Sequence, residues 1–197
     1  MRMPEKVDLK KTLDGYRAKR GEFRFLDVPD ARYLMIDGHG DPNTGAFGEA
    51  IEALYLVAYR LKFASRRELG RDYVVPPLEG LWWADDMAVF TSARDKSLWH
   101  WTLMILVPEW VEDSLFAGVD APAEVRLEPL AEGRCLQTLH VGAFDDEGPV
   151  LARMHDEAIP AEGLVPTGRH HEIYLSDFRR VPPERRRTIL RQPVGPA

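Results

Sequence analysis

An internal repeat constrains this 197-residue chain more than any other feature. The run Phe23-Arg24-Phe25-Leu26-Asp27-Val28-Pro29-Asp30-Ala31-Arg32-Tyr33-Leu34 has a counterpart in Val125-Arg126-Leu127-Glu128-Pro129-Leu130-Ala131-Glu132-Gly133-Arg134-Cys135-Leu136. One offset of 102 residues (126 − 24) places Arg24 on Arg126, Arg32 on Arg134, Leu34 on Leu136 and Gly40 on Gly142. Each copy reads as strand, turn, strand and a Gly/Asp-rich break, with Pro29-Asp30 and Ala131-Glu132-Gly133 as tight reversals. Self-similarity at a fixed period settles the architecture first, because each copy is one structural unit.

After each break the apolar spacing turns helical. Phe47, Ile51, Leu54, Tyr55 and Ala58 lie at i, i+4, i+7, i+8 and i+11, with Asn43 or Thr44 as N-cap and an end near Arg60-Leu61-Lys62. In the second copy Asp145-Asp146 is the expected cap and Pro149 sits in the first turn. Leu151, Met154 and Ala158 form the stripe of a shorter helix ending around Pro160. A second strand pair follows each helix: residues 78–84 with 98–107, and 170–175 with 188–194. The unit is therefore ββαββ twice over, an α+β layout with one antiparallel sheet and helices on one face. Joining the copies about a pseudo-two-fold leaves a groove at the junction, where ligand sites form. The expected divisions are an N-terminal surface arm at 1–20 and one domain at 21–197. Within the domain the first repeat covers about 21–108, a linking helix containing Trp110 about 109–118, and the second repeat about 123–195.

Charge and cysteine content narrow the function. Against 26 Lys+Arg stand 32 Asp+Glu, a net charge of −6, and the basic runs Arg66-Arg67 and Arg185-Arg186-Arg187 are short. Nucleic-acid binding needs clustered cations, so no nucleic-acid partner is expected. The lone Cys135 excludes an internal disulfide and reads as a small buried hydrophobe in a strand. Residues 1–6 lack the apolar run of a signal peptide, and the longest apolar stretch, 103–108, is far below the ~20 residues that span a bilayer. A cytoplasmic protein without a membrane partner is expected, either monomer or weak homodimer.

The aromatic residues point to a pocket. All five Trp lie between positions 82 and 110. Strand alternation sends Trp82 and Trp83 to opposite faces and puts Trp99 and Trp101 on one. Aromatic walls suit flat apolar ligands and organic cations. The run His170-His171-Glu172-Ile173-Tyr174-Leu175 puts His170, Glu172 and Tyr174 on one face. A carboxylate in a central strand is expensive to bury unless something pairs with it, so Glu172 is either a solvent-facing group or the floor of the groove. Asp145-Asp146-Glu147 is read as helix capping. His39, His140, His155, His170 and His171 have no metal-ligand spacing, so neither metal nor cofactor is expected. Gly38-His39-Gly40-Asp41-Pro42 matches no phosphate loop.

Residues 33–42, the strand Pro77-Leu78-Glu79-Gly80-Leu81-Trp82-Trp83, the strand 170–177 and the tail 187–194 resemble the stand-alone GyrI-like small-molecule-binding proteins across almost the whole chain. The resemblance implies the duplicated SHS2 fold and a multidrug-type aromatic cavity with a buried glutamate, which falls on Glu172. It also implies a cyclopropanoid cyclohydrolase-like activity, opening the strained ring of DNA-alkylating compounds with water through a glutamate and a tyrosine. Tyr55 is the match for that tyrosine, with Tyr59 one turn later. The expected ligand-binding set is Glu172, Tyr174, Tyr55, Tyr59, Trp82, Trp83, Trp101 and Trp110, with Glu172 and Tyr55 catalytic in the enzymatic reading.

Overall fold

The computed structural model describes residues 6–197; residues 1–5, part of the expected arm and most of the stretch read for a signal peptide, lie outside it. The first repeat contributes β1 (Arg24–Val28), β2 (Ala31–His39), α1 (Gly45–Ala64), β3 (Leu78–Trp83) and β4 (His100–Val107). A short helix, α2 (Asp113–Ala117), follows. The second contributes β5 (Arg126–Leu130), β6 (Gly133–Val141), α3 (Gly148–Ala152), β7 (His170–Tyr174) and β8 (Arg187–Pro196). The bounds of β1 and β2 recur at the 102-residue offset as those of β5 and β6.

All ladders among these strands are antiparallel, in the order β1-β6-β8-β7-β3-β4-β2-β5. The expected reversals at 29–30 and 131–133 are bends instead. Val28 and Ala31 stand three residues apart, at most ~11 Å, yet β1 and β2 lie far apart along the path. Arg24 pairs with Gln137 and Val28 with Gly133, while Ala31 pairs with Leu130 and Met35 with Arg126. These pairs share one running register, so residues 24–39 and 126–141 are two bent strands clasped together. The path therefore curls until its ends meet. Each repeat lends its opening strand to the other, and the two repeats meet again at the β3–β7 seam.

A tyrosine of the N-terminal arm fills the inside of this curl. One core cluster joins Tyr33 and Met35 of β2, Leu81 of β3, Met104 and Leu106 of β4, Leu139 of β6, Ile173 of β7, Ile189 of β8 and Tyr16. Residues from both ends of the path meet there, which marks this face as concave. The arm also pairs Lys6–Val7 with Asp72–Tyr73, and Tyr16 is 8% exposed.

The helices lie on the outer face, one each side of the seam. Phe47, Ile51, Leu54, Val57, Ala58 and Leu61 of α1 pack on Leu34, Leu103 and Ile105. The helix outlasts the expected end near 60–62, running to Ala64 and then a π-turn to Leu69 that Gly70 stops at φ 65°. The second helix runs through α3, a π segment Arg153–Ala158 and Ile159–Ala161, seating Met154 and Ile159 on Leu136 and Leu190. Its expected Asp145-Asp146 cap is not formed: those residues lie in a preceding turn, and Glu147 occupies the N-cap without a side-chain capping bond. Trp110 lies in a turn ahead of α2, where its indole N–H donates to Ser65 Oγ at 3.0 Å and pins the inter-repeat link to the end of α1. No helix among the described residues is long and apolar enough to cross a membrane.

Candidate functional site

On the helix face of the seam, β7 presents His170, Glu172 and Tyr174 beside Trp82, Gly80 and Leu78 of β3. The register is His170 opposite Trp82 and Glu172 opposite Gly80. The missing side chain at Gly80 lets its neighbours close in. A Cβ there would stand 3.0 Å from Trp82 Nε1 and 3.1 Å from the Tyr174 hydroxyl oxygen. Over that glycine the Trp82 N–H donates to the Tyr174 oxygen at 3.0 Å, and the Tyr174 hydroxyl donates to Glu172 Oε2 at 2.8 Å. The Glu172 side chain is 13% exposed, with His170 Nε2 3.4 Å from its Oε1.

A second carboxyl completes the cluster. Glu147 is 5% exposed and hydrogen-bonded to Glu172. Burial first, then the charge and hydrogen bond of Glu172, hold the Glu147 carboxyl protonated well above the usual carboxylate range. Two acids in contact cannot both ionise cheaply, which is why Glu147 holds its proton beside Glu172. Among the described residues, Glu147 Oε1 and both ring nitrogens of His170 have no hydrogen-bond partner. His155, from the second helix, adds a half-buried imidazole; burial first, then His170, lowers its pKa.

Aromatic rings wall this cluster. Tyr174, Phe144 and Phe178 meet edge to face with centroids 5.5–5.7 Å apart. Trp82 stacks on Phe47 at 5.9 Å and meets the edge of Trp99, which stacks on Phe90 at 4.6 Å. Phe90 and Trp99 belong to the segment between β3 and β4, which Arg94 and Lys96 tie to Asp145 across the seam. A cleft of about 380 Å³ opens on the α1 side of Tyr174, lined also by Ile51, Tyr55, Tyr59, Leu78, Phe178 and Arg179. Neither carboxyl of the pair lines it.

The expected site residues thus fall into three places. Glu172, Tyr174 and Trp82 are joined by hydrogen bonds. Tyr55 and Tyr59 face the cleft, where Arg179 lies 5.7 Å over the Tyr55 ring and Tyr59 is 47% exposed. Burial raises the Tyr55 pKa. Tyr174 stands between Tyr55 and Glu172, and no described contact joins those two. Three tryptophans lie elsewhere. Trp101 packs under α1, its ring against the Gly38 backbone and its N–H on Gly40 O at 3.3 Å. Trp83 is on the opposite face of the sheet, stacked on His100 with Arg169 3.5 Å over its ring. Trp110 contacts Tyr73 and Arg71 at the far end of α1. Sequence reading missed Glu147, because the run Asp145-Asp146-Glu147 reads as helix capping and nothing in it marks the one acid that is buried. It also missed Phe90, Phe144 and Phe178, whose loops carry no periodicity.

Directly behind the site is a second buried polar set. His171 Nε2 lies 2.7 Å from Glu79 and its Nδ1 2.9 Å from Glu132; Arg191 donates to Glu132 at 3.1 Å and to Gln137 at 3.0 Å. Tyr16 donates to Glu79 at 2.6 Å. Burial alone would depress the His171 pKa, but Glu132 and Glu79 outweigh it and hold it at about 8. Burial likewise opposes ionisation of Glu132, yet His171 and Arg191 pull its pKa to about 2. Two carboxylates and two cations balance, which is how this charge is tolerated inside. Among the described residues no group of three or more His, Cys, Asp or Glu could hold a metal ion.

An uncharacterized conserved protein from Listeria innocua is 36% identical, with 96% of this chain and 100% of that chain covered and a TM-score of 0.86. A hydrolase encoded by lin2189 from Listeria innocua is 34% identical over 97% of this chain and 100% of that one, TM-score 0.85. A further Listeria innocua hydrolase is 34% identical over 96% and 100%, TM-score 0.82. The EcmrR C-terminal domain shares the fold alone, at 8% identity over 89% of this chain and 98% of that one, TM-score 0.58. No curated protein matches. Residues 21–194 match the GyrI-like small molecule binding domain, and the chain belongs to that family.

Proposed function

We propose that the seam binds planar, lipophilic, often cationic small molecules of the multidrug type, with Glu172 as counter-charge. The observation that carries this reading is Glu172 on a central strand, in contact with the buried Glu147 and walled by Trp82, Tyr174, Phe144 and Phe178. Ring quadrupoles and a partly desolvated carboxylate attract the same ligands, and each strengthens as water is excluded. The cleft beside Tyr174 offers room for the apolar part of such a molecule. Titrating a fluorescent cationic dye into the wild type and Glu172→Gln tests it. The expected loss is about 1–3 kcal/mol, and equal affinity would overturn the assignment.

Hydrolysis is the second reading. It is favoured by the proton that Glu147 holds beside Glu172 and by the two Listeria relatives described as hydrolases. Glu172 would take a proton from water as the water oxygen bonds to a carbon of a strained cyclopropane and a ring bond breaks. The oxygen that gains charge would take a proton from Tyr55 on the cleft side, or from Glu147, which already carries one. Incubation with a cyclopropane-containing alkylator should give a water adduct by mass spectrometry that Glu172→Gln does not form. No adduct at stoichiometric protein would dispose of this reading.

A further inference from the structure

We infer, resting on the binding reading above, that the seam selects among organic cations by hydrogen bonding, and that its preferred ligands are arylalkyl primary ammonium ions rather than quaternary ones. The argument is an inventory of bonding capacity around one carboxylate. Glu172 Oε2 is taken by the Tyr174 hydroxyl, itself fixed by the Trp82 N–H. Glu172 Oε1 lies 3.4 Å from His170 Nε2, and the Glu147 carboxyl is hydrogen-bonded to the same Glu172 side chain. Glu147 Oε1 is buried and unpartnered, and so are both nitrogens of His170. A neutral imidazole keeps one acceptor nitrogen. Unpartnered acceptor capacity therefore remains on Glu147 and on the His170 ring beside Glu172, and nothing among the described residues donates to it.

A primary ammonium brings three N–H donors and one positive charge, so it can meet the open atoms of Glu147 and His170 while facing the counter-charge assigned to Glu172. A quaternary cation satisfies the charge and the rings yet leaves every one of those acceptors unpaired, which is costly where water is excluded. If ring quadrupoles dominated, the order would reverse, because quaternary ammonium suits an aromatic cage. The two possibilities predict opposite selectivity.

The test uses the full chain with 2-naphthylmethylammonium and its N,N,N-trimethyl counterpart, compared by calorimetry at one pH. The primary ammonium should bind about tenfold more tightly. In Glu147→Gln, and separately in His170→Phe, that ratio should fall to about threefold or less; using two variants keeps the test decisive if one fails to fold. A quaternary probe that binds as tightly or more tightly overturns the inference and leaves the binding reading standing. A wild-type preference that neither folded variant narrows overturns the assignment to these acceptors. Failure of both probes to bind overturns the binding reading and this inference with it.

Discussion

Two glycines of the sheet show how much single positions decide. At Gly80 an added methyl would stand 3.0–3.1 Å from Trp82 and Tyr174, tighter than their hydrogen bond permits. Gly80→Ala should therefore loosen the Tyr174–Glu172 contact, weakening dye binding more than it lowers the melting temperature, as titration and thermal unfolding would show. At Gly38 a Cβ would fall 1.9 Å from the Trp101 ring. That indole has no other place to go beneath α1, so Gly38→Ala should cost about 3 kcal/mol or more of stability in denaturant unfolding. Alternation put Glu172 and Tyr174 on one face of β7 and parted Trp82 from Trp83, but it left open whether Glu172 faces solvent or the groove, and the resemblance supplied that choice. Glu147 was not legible, because burial at a helix start depends on what lies across the seam and leaves no local mark.

The N-terminal arm is tied to the sheet by chemistry that pH can read. Tyr16 on the arm, Glu79 on β3, His171 on β7, Arg191 on β8 and Glu132 in the β5–β6 bend form one buried network. His171 has a pKa of about 8 in the fold against an ordinary 6.5. Its contribution, about 2 kcal/mol, is complete below pH ~6.5 and is lost as pH rises through about 8. Glu132, at about 2 against 4.5, contributes fully above pH ~4.5 and loses that contribution as pH falls toward about 2. Thermal unfolding followed across pH should place the network's greatest stabilisation between about 4.5 and 6.5; a melting temperature flat from pH 6 to 9 would contradict this. Tyr16→Phe leaves Glu79 one donor short and should destabilise by about 1–3 kcal/mol.

At the scale of the whole chain, the repeat made the architecture legible, since the copied segments became copied elements. What it left unread was that the copies interlace. Pro29-Asp30 and Ala131-Glu132-Gly133 carry residues that serve a hairpin or a bend equally well, and only the partner strand decides between them. Because β1 pairs with β6 and β5 with β2, neither repeat alone can complete its hydrogen bonding. Cut at the exposed turn at 123–124, the two fragments should be largely unstructured apart and regain the native circular dichroism when mixed. Native-like signal from either fragment alone would refute the argument.

Closure of the strand path also governs how bulky a guest can be. A floor whose strands are bonded all the way round cannot gape, so the two helices cannot be levered apart to admit a larger molecule. Adaptation falls instead to rings that no hydrogen bond holds, Phe144 and Phe178 foremost, and to the tethered span holding Phe90 and Trp99. Promiscuity in such a receptor would be a property of its upholstery and not of its frame.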